Sequence, residues 1–68
     1  MEEIIQAIKE KREREGYSQK EFANSVGLTL PSYRNYEQLV TTPNVPTLVR
    51  IAKKLGFKYL DINTQTLR

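Results

Sequence analysis

Leu30, Arg34 and Gln38 recur at every fourth position, with Pro31 and Asn35 beside them. At that spacing they share one side of a helix, which then carries a guanidinium and two carboxamides. Such groups form paired hydrogen bonds to flat polar edges. Asn35 suits adenine, and Arg34 suits guanine or a phosphate. Leu30 and Pro31 have no side-chain hydrogen bond to offer and can only touch apolar groups such as a thymine methyl. Nothing else in the 68 residues offers reactive chemistry, because there is no His and no Cys. The carboxylates Glu10, Glu13 and Glu15 lie on a charged helical stretch rather than beside a recognisable pocket. No Gly-rich phosphate loop and no cluster with metal-ligand spacing occurs. The expectation is a binding protein and not an enzyme, with no cofactor and no metal.

Such a face needs a helix anchored from behind, and the chain has few means of anchoring it. A domain of this length buries only about 60% of its unfolded surface. Without disulfides it must rely on packing, which favours helices with local contacts. A first helix is expected over Glu2 to Glu15, with Ile4, Ile5 and Ile8 inward and Gly16 as its stop. A second begins at Ser18, whose spacing to Glu21 is that of a capping box; it buries Phe22, Ala23 and Val26 and stops at Gly27. A third is capped by Thr29 and carries Pro31 in its first turn, with Tyr33 and Tyr36 on its inner side. After a loop from Leu39 to Asn44 a fourth runs to Gly56, with Leu48, Val49, Ile51, Ala52 and Leu55 as its apolar stripe. Lys58 to Asn63 reads as a short strand or a last helical turn, and Thr64 to Thr66 as a frayed end. Residues 1–57 are thus the domain and 58–68 a tail. Tyr59, Leu60 and Ile62 make that tail a candidate dimerisation segment.

The second and third helices are joined only by Gly27-Leu28-Thr29. A small residue at Ala23, a sharp turn at Gly27 and an immediate cap at Thr29 are what a helix-turn-helix requires. The run Gly16-Tyr17-Ser18-Gln19-Lys20-Glu21-Phe22-Ala23, then Val26-Gly27-Leu28-Thr29, continues through Tyr33, Tyr36, Glu37 and Pro43 to Ile51-Ala52-Lys53-Lys54-Leu55-Gly56. In this it resembles the Cro/C1-type (XRE) phage-repressor helix-turn-helix domains, without gaps from about Ile4 to Gly56. The resemblance implies an all-α fold, a lambda-repressor-like bundle of four to five helices. It also implies a sequence-specific transcriptional regulator of double-stranded DNA, with a recognition helix at about 30–38 in the major groove. Leu30, Pro31, Ser32, Arg34 and Asn35 fall at base-reading positions. Gln19 and Gln38 fall at phosphate-contacting ones, Gln19 alternatively supporting the recognition residues; Lys20 and Thr29 are further phosphate candidates, Lys20 being equally readable as a plain surface charge. Arg12 and Glu37 fall where many members form a partly buried ion pair.

The chain departs from that pattern in three places. Leu30 and Pro31 stand where base-reading polar residues are usual. The stretch from Gln38 to Thr42 carries no charge, where the family's loop is basic and contains a Gly. Lys11 occupies a position that is often Leu and is expected to snorkel past the core edge. Leu39 and Val40 are conspicuous in that loop, either completing the core or forming a partner surface. They support an alternative, a protein-binding module on the same fold, such as an antitoxin acting through a toxin. Family members usually act as dimers, so a weak homodimer is expected. Arg50, Lys53, Lys54 and Lys58 read as solubilising charge away from the recognition helix. The formal charge of +3 suits nucleic acid or an ordinary solvated surface equally well. The apolar runs are too short to span a membrane, and Met1-Glu2-Glu3 is unlike a signal peptide, so a cytoplasmic location is expected.

Overall fold

A computed structural model describes residues 1–68 and contains α1 (Glu2–Arg14), α2 (Gln19–Ser25), α3 (Leu30–Glu37), α4 (Val45–Lys54), β1 (Leu60–Asp61) and β2 (Thr66–Leu67). Each helix starts where its residues dictate. Glu2 and Glu3 place negative charge at the positive end of the α1 dipole. The Ser18 hydroxyl accepts from the Glu21 amide at 3.0 Å while the Glu21 carboxylate accepts from the Ser18 amide at 2.9 Å, closing the capping box. Thr29 caps α3, and the Asn44 side-chain oxygen caps α4 by accepting from Thr47 N at 2.9 Å. There are four helices, at the lower bound of the expectation.

The helices stop by one device. At the end of α1, Gly16 N donates to Glu13 O and Tyr17 N to Arg12 O. The same crossed pair recurs at Gly27 and Leu28, at Leu39 and Val40, and at Gly56 and Phe57. This is the Schellman arrangement, which requires a left-handed residue. Three of the four are glycines, at φ +83°, +73° and +84°; the fourth, ending α3, is Leu39 at φ 61°.

Ile4, Ile5 and Ile8 of α1, Phe22, Ala23 and Val26 of and after α2, Tyr33 of α3, and Leu48, Ile51 and Leu55 of and after α4 form one core. Tyr36 is half-buried against it. The Phe22 ring packs on Tyr33 at 5.2 Å between centroids and edge-on to Tyr17 at 5.7 Å. Lys11 reaches solvent beside the core and pairs with Glu15 at 3.2 Å. Leu39 and Val40 do not complete the core, being 50% and 65% exposed.

The tail corrects one expectation. Thr64 to Thr66 are not frayed: β1 and β2 form an antiparallel hairpin that pairs Leu60 with Leu67 and Asp61 with Thr66. Its loop is held by Asp61, whose side-chain oxygen accepts from Asn63 N at 2.9 Å and Thr64 N at 3.3 Å. Beyond the strands, Tyr59 and Arg68 exchange both backbone hydrogen bonds. Leu60 and Leu67 pack against the helical core, and β2 lies against α1. A two-residue ladder has too little periodicity to be read from sequence, and the burial of Leu60 and Leu67 by distant helices is what stabilises it.

Candidate nucleic-acid interface

The orientation of α3 is set by one carboxylate. Glu37 accepts from Arg12 Nε at 2.7 Å and Arg12 Nη2 at 3.2 Å, from Gln19 Nε2 at 3.0 Å, and from the Tyr33 hydroxyl. Arg12 Nη1 also donates to Tyr17 O at 2.6 Å, in the link between α1 and α2. The Arg12 and Glu37 side chains are 7% and 3% exposed. Helices α1, α2 and α3 therefore meet at a single desolvated ion pair. Burial alone would raise the Glu37 carboxyl, but hydrogen bonds from Arg12, Tyr33 and Gln19 hold it below the usual carboxylate range. Tyr33 is shifted far upward by its own burial and by the adjacent carboxylate, so its phenol stays a donor. Burial opposes the charge on Arg12, yet Glu37 raises its pKa above the ordinary value. The pair stays ionised throughout neutral pH.

With its inner side fixed, α3 turns the opposite side to solvent. Pro31, Ser32, Arg34 and Gln38 are exposed; Leu30 and Asn35 are half-exposed. Arg34 makes no ion pair, and the side chains of Arg34, Asn35 and Gln38 make no hydrogen bond. These fork-shaped groups are thus unoccupied and aimed outward on one helical side. Lys20, in the first turn of α2, is also exposed and without a carboxylate partner. Two other side chains are partly committed. Thr29 Oγ1 accepts from Ser32 N at 3.3 Å and donates to Ser32 Oγ at 2.9 Å, leaving the Ser32 hydroxyl proton as the free donor of the two. Gln19 has one amide hydrogen on Glu37, so one remains for another acceptor.

Two short helices are joined by the tight four-residue link 26–29, the second presenting unpaired polar groups outward, and a helix-turn-helix family profile matches residues 8–62. The chain belongs to the Cro/C1-type helix-turn-helix (XRE) family. It is accordingly a domain of DNA-binding, transcription-regulating type, and double-stranded DNA is the family's partner. The family is not an enzymatic one. No curated protein and no solved structure matches the chain. No helix is long and apolar enough to cross a membrane.

Three features of this helix-turn-helix escaped the sequence reading. Tyr33 was legible as core but not as a donor to Glu37, although its i, i+4 spacing permits the bond. The left-handed Leu39 was detectable only by analogy with the glycines that end the other helices. The position of Lys54 Nζ 5.9 Å from the centre of the Tyr17 ring, just before α2, left no signal in the spacing.

Proposed function

We propose that this protein is a sequence-specific transcriptional repressor that inserts α3 into the major groove of operator half-sites. Arg34 and Asn35 are the principal base readers, with Ser32 adding a hydroxyl and Leu30 and Pro31 contacting thymine methyls. Lys20, Gln19, Thr29 and Gln38 hold the flanking phosphates and fix the register of the helix. The observation that carries this reading is the unpaired Arg34–Asn35 side of α3, fixed from behind by Glu37. Replacing Arg34 and Asn35 together by Ala should abolish discrimination among duplexes while leaving the melting temperature unchanged, since neither side chain packs inward. Selection from a randomised duplex pool tests this. Retained specificity in the double variant assigns recognition to other residues.

A single helix reads few base pairs, so the repressor acts as a homodimer. Leu39 and Val40 supply its surface. They are exposed, the link around them is uncharged, and Leu39 occupies a left-handed backbone that costs an L-residue about 1–2 kcal/mol. Such a cost is sustained where the side chain has a use. The same patch favours a second reading, a protein partner such as a toxin. Recovery of an inverted repeat from the pool supports the homodimer, and recovery of nothing above background supports the protein partner.

A further inference from the structure

Positive charge is segregated in this molecule. Residues 18–49 carry Lys20 and Arg34 against Glu21 and Glu37, whereas residues 50–68 carry Arg50, Lys53, Lys54, Lys58 and Arg68 against Asp61 alone. None of these five late cations has a carboxylate partner within 4.0 Å. Two of them, Lys53 and Lys58, rim an apolar groove of about 450 Å³ between α4 and the hairpin, floored by Val49, Ala52, Phe57 and Leu60.

The groove is bordered by an unpaired strand edge. Tyr59 and Arg68 exchange both their backbone hydrogen bonds. Leu60, one residue on, therefore stands at a non-hydrogen-bonded position opposite Leu67, and its N–H and C=O point away from β2. The free edge thus belongs to the strand whose Tyr59 and Leu60 line the groove. Tyr59, which lines the groove, is 47% exposed.

We propose that this groove binds an extended acidic peptide of a partner protein, one that alternates carboxylate and apolar side chains. Its backbone adds a strand to the edge of β1 at Leu60. Its apolar residues enter between Phe57 and Val49, and its carboxylates meet Lys53 and Lys58 on the rim. Charge decides the occupant. A second copy of this chain docked about a twofold would set Lys53 and Lys58 against lysines, with one acidic residue, Asp61, to offset them. A duplex would be attracted by the lysines but gains nothing from the apolar floor. The site is distinct from the face of α3, so a regulator bound to its operator keeps it available for a protein.

The test uses the full chain, isotope-labelled, and a synthetic peptide of about eight residues alternating Glu with Val. Two controls accompany it: the same peptide with Lys for Glu, and an oligoglutamate. The Glu–Val peptide should shift the amide signals of Val49, Ala52, Phe57 and Leu60, and the Lys version should not. Oligoglutamate should bind at least tenfold more weakly. Lys53→Glu with Lys58→Glu should cut affinity for the Glu–Val peptide more than tenfold while lowering duplex affinity far less, through the change in net charge alone. The proposal is overturned if the Lys peptide binds equally well. Shifts at those residues on protein dilution without peptide, or on adding duplex, also overturn it by giving the groove to a second copy or to DNA.

Discussion

Glu37 has the most to lose of any residue. Removing its carboxylate strands Arg12 in a site where the guanidinium has almost no water, and the cost of breaking such a pair is about 3 kcal/mol. Glu37→Ala should lower the melting temperature on the order of 15 °C in a domain of this size. An unchanged midpoint would mean that the pair is solvated. The pH dependence follows from the direction of the shift. Glu37 is held below its ordinary value of 4.5 in the folded protein. The stability it contributes is therefore full above that value and is lost as the pH falls through the depressed folded value. Thermal melts from pH 7 to pH 2 should show this loss, and Glu37→Gln should be less stable at pH 7 with a flatter acid limb. Glu21 and Asp61, lowered by hydrogen bonds from Ser18 and from Thr64 respectively, will keep the limb from becoming level.

Helix α3 shows how an element is bounded by local signals and what those signals leave out. Its start was legible because Thr29 and Pro31 act within a turn of their own positions, and its buried side because Tyr33 and Tyr36 keep helical spacing. The exposed side of Arg34 and Asn35 followed from the same period. Its stop was less legible, since Leu39 is a poor left-handed residue held there by Tyr36 O and Asn35 O. The hairpin was legible only as a choice between strand and helix, because its burial depends on residues of α1 distant in sequence. Leu39 also yields a prediction with two signs. Leu39→Gly relieves the backbone and should raise stability by about 1 kcal/mol in urea denaturation, while removing the side chain should weaken the proposed homodimer in sedimentation. A variant that destabilises the fold would show that Leu39 is not strained.

The whole molecule carries most of its unpaired cations outside residues 18–49, and that sets how it should respond to salt. Each phosphate neutralised contributes a slope of about 0.9 to the dependence of affinity on salt. Counting both the phosphate-bound Lys20 and the groove-inserted Arg34 of each protomer as neutralising cations, a dimer should show a slope on the order of 4. A slope twice as steep would mean that Arg50 and Lys54 also touch the backbone. The molecule is also closed end to end, because the last strand lies on the first helix. That closure spans nearly the whole chain and has the largest loop entropy to overcome. The hairpin should therefore be the last piece to dock and the first to lift. Native-state hydrogen exchange should find the amides of Tyr59 and Arg68 opening at lower free energy than those of Ile51 and Leu55. Equal protection would make the chain a single cooperative unit. Otherwise this small regulator has a latch, and whatever adds a strand beside Leu60 would hold it shut.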